Sequence, residues 1–194
     1  MPTLPKVLLL GDSIRMSYQS QVAKALEEVA EVVGPADNCQ YSLFTLSSLG
    51  RWLTELGQPV VVHWNNGLHD IGHNPNRAPI QMPLQVYRDN LGHILRHLRT
   101  ITPHIIWATN TPVHPDRPFR DDQWSWRNEE IDRYNQAALE LMEVEKVPVN
   151  DLHALVHRDL DGYLAEDQLH LSTAGQAACA AAVAQTVKGH MPEN

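Results

Sequence analysis

Short, continuous apolar runs alternate along the chain with longer stretches whose apolar residues recur every three or four positions. The first pattern is that of strands buried on both faces, the second that of amphipathic crossover helices. Lys6–Leu10 reads as the first strand and ends in Gly11. Residues 16–31 follow as a helix with Val22, Ala25, Leu26 and Val29 on one face, and Val32 and Val33 form a brief second strand closed by Gly34-Pro35. Leu43, Leu46, Leu49, Leu53 and Leu56 are spaced by three and four, which predicts a helix over 43–56 that starts near Ser42. Residues 59–64 are the clearest central strand. A helix over 83–101 with Pro83 near its first turn, a strand over 104–109, a helix over Asn128–Val144 and a short strand over 147–149 come next. The last helix, Thr173–Lys188, is Ala-rich, and Ser172 or Thr173 can cap it. This alternation predicts the α/β class: a three-layer α/β/α sandwich around a central, mainly parallel five-stranded sheet.

Length and charge narrow the picture. A chain of 194 residues fits one domain spanning 1–194. A formal net charge of -8 argues against a nucleic-acid partner or an anionic bilayer surface. No apolar stretch approaches the ~18 residues of a membrane span, and the amino terminus lacks the apolar core and cleavage site of a signal peptide. A cytoplasmic location is therefore the expectation. Cys39 and Cys179 are too few for a disulfide framework and lie in no zinc-like spacing. The 11 histidines stand out, because each can titrate near neutral pH, bind metal or shuttle protons. One segment breaks the pattern: residues 114–127 are polar, carry two prolines and end in Trp124 and Trp126. Long loops with aromatic residues in such folds are usually functional.

In an open parallel sheet, ligands bind beyond the carboxyl ends of the strands, so residues just after each strand have the strongest claim to chemistry. Gly11-Asp12-Ser13-Ile14-Arg15 follows the first strand and puts Ser13 at a strand-to-helix turn. There, backbone amides and the helix dipole favour negative charge on its oxygen or on a bound oxyanion. Two readings of Ser13 stand side by side, a nucleophile and a plain helix cap. Near the other end, Asp167 and His170 lie three residues apart in Asp167-Gln168-Leu169-His170. At that spacing on a turn, a carboxylate can orient an imidazole and hold its tautomer while the outer ring nitrogen faces a hydroxyl. Surface Asp/His pairs are common, so this pair gains meaning only from Ser13.

Together these blocks resemble the SGNH, or GDSL, hydrolase family. Gly11-Asp12-Ser13-Ile14 is similar to the nucleophile block and Asp167-Gln168-Leu169-His170 to the DxxH block. Gly67-Leu68-His69-Asp70, after the third strand, stands where the family has GxND. Order, strand-end positions and chain length agree over nearly the whole domain. The resemblance implies a flavodoxin-like fold and a serine esterase (EC 3.1.1) that works through an acyl-enzyme without metal or other cofactor. Ser13 would attack the acyl carbonyl, His170 would act as general base and then acid, and Asp167 would orient it. The amide of Ser13 and donors from the second and third blocks would hold the oxyanion.

Two positions depart from the family's pattern. His69 stands where the third block has Asn; a neutral imidazole still donates one N–H, and Asn66, three residues earlier, is the competing donor. The loop after the second strand, from Asp37 to Leu43, has no glycine, so Ser42 is the preferred amide donor there, with Gly50 fitting by type but lying inside a helical pattern. Arg15 is a candidate for substrate oxygens or a solvated helix-start residue. Trp124 and Trp126 are candidates to stack on a sugar or to pack the long loop. His93 and His97 have the i, i+4 spacing of a metal pair but no acidic third ligand nearby, so no metal is expected. Asp70 and Asn110, also beyond strand ends, are candidates for bonding loop backbone. Asn65-Asn66-Gly67-Leu68-His69-Asp70 together with the first block resembles the carbohydrate-deacetylating branch, and no extended apolar lid is evident. The expected substrate is thus a small-molecule or saccharide ester, with acetyl favoured. Competing readings are a thioesterase or lysophospholipase, a non-catalytic carbohydrate-binding domain, and a His-based metallohydrolase.

Overall fold

The computed structural model describes residues 4–74, 81–117, 119 and 124–192. In chain order its elements are β1 (Lys6–Leu10), α1 (Ser13–Leu26), β2 (Glu31–Val33), α2 (Ser42–Leu56), β3 (Val61–Trp64), α3 (Leu68–Ile71) and α4 (Leu84–Arg99). They continue with β4 (Ile105–Ala108), α5 (Asn128–Val144), β5 (Val149–Asn150), α6 (Leu152–His157), α7 (Leu160–Tyr163) and α8 (Thr173–Lys188). The five strands form one sheet in the order β2-β1-β3-β4-β5, with every neighbouring pair parallel. Right-handed crossovers then dictate the layers. The chain moves one way from β1 to β2 and the other way from β2 through β3 and β4 to β5, which puts α1 on one face and α2, α4 and α5 on the other. The last helix, α8, returns to pack against α1.

With both faces covered, β3 and β4 are buried along their whole length. Trp64 and Trp107 sit opposite each other in register and meet edge to face at 4.8 Å. His63 is a polar residue in this apolar strand. Burial holds its pKa down to about 4, so it is neutral, and its Nε2 lies 3.1 Å from the Asn150 side-chain amide.

The structure shifts several expected boundaries for identifiable reasons. Instead of spanning 16–31, α1 starts at Ser13 and ends at Leu26, because Glu31 pairs with Lys6 in the sheet and the chain must leave the helix first. Its buried face is Ile14, Tyr18, Val22 and Leu26, while Ala25 and Val29 are exposed. In α2 the leucine stripe makes up only part of the inward face. Leu49 is buried, Leu46, Leu53 and Leu56 are half-buried against the core and Leu43 is exposed, while Ser42, Thr45, Ser48 and Trp52 are buried beside them. Buried polar groups need partners: Ser42 finds them in Asp70 of α3 and Asn90 of α4, and Thr45 in Asn66 after β3 and the Cys39 carbonyl. The fifth strand slides to Val149–Asn150, and Pro83 caps α4 from outside. The α5 and α8 boundaries agree with the periodicity, and the Ser172 hydroxyl accepts from the Gly175 amide to cap α8. The short helices α3, α6 and α7 are below the window over which periodicity can be read. Cys39 and Cys179 are buried free thiols. No helix of the described residues is long and apolar enough to cross a membrane.

Candidate active site

Strand order reverses between β1 and β3, and a crevice forms beyond the carboxyl ends of strands at such a switch point. A cavity of about 320 Å³ lies there. Ser13 and His170 line it together with Asp12 and Asn38, and Leu68, His69, Trp124, Trp126 and Leu169 complete its walls.

Ser13 comes directly after β1. The cap of α1 is Asp12, whose Oδ1 accepts from the Ile14 amide at 2.9 Å, so the Ser13 hydroxyl is not needed for capping. It lies 2.9 Å from His170 Nε2 instead. The Ser13 amide is in the first helical turn, where N–H groups have no intrahelical acceptor. The helix dipole adds positive potential at the same place.

His170 is fixed by a turn built from its own block. His170 Nδ1 lies 2.6 Å from Asp167 Oδ2, and Asp167 Oδ1 accepts from the amides of Leu169 and His170 at 3.1 and 2.9 Å. Gln168 adopts a left-handed conformation, φ 71°, which lets the carboxylate fold back onto those amides. Ala165 closes the turn by donating to the His170 carbonyl and accepting from the Gln168 amide, and the His114 amide donates to the Gln168 carbonyl. Burial tends to raise the Asp167 pKa, but hydrogen bonds from the His170 ring and the two amides outweigh it, and the carboxyl sits below its ordinary value. An ionised Asp167 accepts a hydrogen bond from Nδ1–H, which leaves Nε2 as an acceptor facing the Ser13 hydroxyl.

On the third side, Gly67 leads into α3. Its φ of 151° and the Asn110 side chain, whose Nδ2 would lie 2.2 Å from an added Cβ, leave room for glycine only. Asn110 is held in turn by Asn65 and Asn135. His69 then projects to the cavity, its ring 5.8 Å from that of Trp124, and bonds to no other described residue. Burial lowers its pKa, the Asp12 carboxylate works against that, and His170 adds to it; the net shift is down. His69 is therefore a neutral imidazole with an N–H to give.

Four sequence candidates are not brought to the cavity. The Ser42 amide donates to both carboxylate oxygens of Asp70 at 3.0 Å, and the Ser42 hydroxyl donates to Oδ1 at 2.5 Å, so it has no N–H left for an oxyanion. Asn66 is fully buried, accepts from the Trp64 indole and donates to the Gln40 carbonyl and Thr45 hydroxyl at 2.8, 3.1 and 2.9 Å. Arg15 is 3% exposed rather than solvated, and its guanidinium bonds the carbonyls of Gly11, Pro35 and Asp37 and the Gln19 side chain, tying α1 to the loop after β2. Gly50 is exposed in α2 and does not line the cavity.

Asn38 also lines the cavity, although no sequence block marks it: it lies in the loop after β2 but is neither a glycine nor a helix-start amide. Its Oδ1 accepts from the Gln40 amide at 2.8 Å, and its side-chain amide bonds to no other described residue. Asp70 is buried behind the site. Desolvation raises its pKa to about 7 against the lowering effect of Ser42.

Trp124 and Trp126 both wall the cavity and pack the long loop. His73 and Ser125 exchange backbone hydrogen bonds, the Trp126 indole donates to the Leu68 carbonyl at 2.7 Å, and a Cβ on Gly72 would come 2.8 Å from the Trp124 ring. Residues 118 and 120–123 of this loop lie outside the described residues. Among the described residues no three His, Cys, Asp or Glu side chains form a metal-binding group, and the His93 ring lies 2.8 Å from Arg96 rather than pairing with His97.

The profile of the GDSL-like lipase/acylhydrolase family matches residues 9–178. Among solved structures, the chain resembles a lipase/acylhydrolase from Enterococcus faecalis at 21% identity, with 98% of this chain and 99% of that chain covered and a TM-score of 0.78. The acetylxylan esterase Axe2 from Geobacillus stearothermophilus is similar at 17% identity, 95% and 94% coverage and a TM-score of 0.78. The acetyl xylan esterase AlAXEase is similar at 16% identity, 94% and 99% coverage and a TM-score of 0.76. No curated protein sequence matches the chain.

Proposed function

Because the chain belongs to the GDSL-like lipase/acylhydrolase family of ester hydrolases, we propose that it is a serine esterase removing short acyl groups, acetyl above all, from a small-molecule or saccharide ester. The observation that carries this reading is the hydrogen-bond line from Asp167 through His170 to Ser13 at a cavity beyond the sheet. A domain that only bound carbohydrate would have no need of that alignment.

The Ser13 oxygen attacks the ester carbonyl carbon while its proton passes to His170 Nε2. Asp167 stays ionised and stabilises the imidazolium through Nδ1–H. The carbonyl oxygen takes up negative charge and meets the Ser13 amide and the His69 N–H, with the Asn38 side-chain amide as third donor. His170 gives its proton to the leaving alcohol oxygen as the carbon–oxygen bond breaks, and the acyl group stays on Ser13. Water then gives a proton to His170 as it adds to the acyl carbon. Collapse of that intermediate releases the acid and returns the proton to Ser13.

Two tryptophans and two leucines bound a small cavity, which suits a short acyl group better than a long chain. The aromatic faces also suit the CH side of a sugar ring. Similarity to acetylxylan esterases supports the same substrate class.

Labelling with an organophosphonate and mass spectrometry tests the nucleophile. An adduct on the Ser13 peptide, absent from Ser13→Ala, is expected. No adduct together with no ester turnover removes the serine-esterase reading. An acyl-length series tests the substrate: turnover that climbs steadily from acetyl to long chains replaces the deacetylase reading with a lysophospholipase or thioesterase one.

A further inference from the structure

A second cavity, of about 340 Å³, lies beside the first, and Trp126 is a wall of both. This volume falls within the range of small-ligand sites, about 300 to 1,000 Å³. Phe119 lines it with its ring tilted against Trp126 at 5.5 Å, forming a continuous apolar surface. Around that surface stand Ser125, Arg127 and Glu129, a hydroxyl, a forked cation donor and a carboxylate acceptor. The Arg127 guanidinium makes no hydrogen bond or ion pair with another described residue; only the Arg127 carbonyl is engaged, by the Glu130 and Ile131 amides of α5.

The chemistry of this lining selects its occupant. An acyl chain would desolvate the charged groups without giving them partners. An anion would meet Glu129 as well as Arg127. A neutral, polyhydroxylated ring satisfies all of them at once, since its hydroxyls accept from Arg127 and donate to Glu129 while its CH face lies on Phe119 and Trp126. His114 and Arg117, also in the lining, are engaged with Asp161 at 3.0 and 2.7 Å. They belong to the frame: the His114 amide bonds the Gln168 carbonyl and Arg117 the Ala165 carbonyl, so the floor of the second cavity also holds the turn that carries Asp167 and His170.

We propose that this second cavity binds the neutral sugar unit next to the esterified one, so that the enzyme prefers acetylated oligosaccharides to acetylated monosaccharides. The inference rests on the deacetylase reading above, and the experiment keeps the two apart. Steady-state kinetics on an acetylated disaccharide and the matching acetylated monosaccharide are compared in the wild type, Arg127→Ala and Phe119→Ala. The expected wild-type ratio of kcat/KM, disaccharide over monosaccharide, is about tenfold or more, and it falls towards one in both variants. The unesterified disaccharide should also inhibit hydrolysis of 4-nitrophenyl acetate, with a Ki about tenfold weaker in Arg127→Ala. Acetyl-sugar turnover with a ratio near one in all three proteins, and a Ki indifferent to Arg127, overturns the subsite and leaves the deacetylase reading standing. No acetyl-sugar turnover, with Arg127-dependent inhibition retained, overturns the deacetylase reading and keeps the sugar site.

Discussion

His69 and Asp70 are neighbours in one short helix, yet they belong to polar clusters of opposite character. His69 faces the cavity with Ser13, His170 and Asn38, and these side chains keep hydrogen-bonding capacity that nothing else in the described structure claims. Asp70 points into the protein, where it binds the amide and hydroxyl of Ser42, and Ser42 accepts from Asn90 at 3.0 Å. Asn66, Thr45 and Cys39 continue that buried set, each with its partners supplied. Both clusters lie beyond strand ends, and both consist of residues that could do chemistry. What separates them is whether the polar atoms are already satisfied. A satisfied cluster fixes the loops in place, and an unsatisfied one has something to offer a substrate.

The largest break between the clusters is expected at Asp167. Asp167→Asn keeps the size of the side chain but favours the wrong imidazole tautomer, and kcat on an activated acetyl ester should fall by about a thousandfold or more with the thermal midpoint little changed. A drop of less than tenfold would mean that Asp167 merely closes the turn. Next comes the direct contrast across α3. His69→Ala should lower kcat by about a hundredfold with little loss of stability, as removal of one oxyanion donor does. Asn66→Ala should do the reverse, destabilising the protein by about 2 to 3 kcal/mol in denaturant titrations, because it strands the Trp64 indole and the Gln40 carbonyl. If His69→Ala keeps full turnover, the assignment of that donor fails.

The smallest effect is a pH dependence of stability. Asp70 has a folded pKa raised from 3.8 to about 7, so its contribution is fully present below the ordinary carboxyl value and is lost as pH rises towards 7. His63 is lowered from 6.5 to about 4, so its contribution is present above 6.5 and is lost as pH falls towards 4. Asp70→Asn should therefore gain stability relative to wild type between pH 4 and 7, with a slope no steeper than about 1.4 kcal/mol per pH unit. Equal slopes for the two proteins in thermal melts across that range would show that Asp70 titrates normally.

How far the site was legible in the sequence follows the same division. Ser13, Asp167 and His170 were legible because a local block places each: a strand-to-helix turn for one, a three-residue turn for the others. Ser42 and Asn66 were plausible donors by type and position, and only their bonding to Asp70, Gln40 and Thr45 removes them. Arg15 looked solvated because it follows a helix start; the loop after β2, 20 or more residues away, buries it. Asn38 carried no signal beyond its loop.

For the fold, the sequence by itself determined the class, the strand sequence and the two longest well-bounded helices, α5 and α8. Burial on both faces writes itself into continuous apolar runs, and helix amphipathicity into spacings of three and four. Tertiary structure decided which face of α1 and α2 turns inward and where α1 stops, because those depend on partners distant in the chain: Lys6 opposite Glu31, Asp70 beneath Ser42. It also decided which polar residues remain free. A residue's chemistry is local and can be read along the chain, whereas its hydrogen bonds are made with whatever the fold brings beside it.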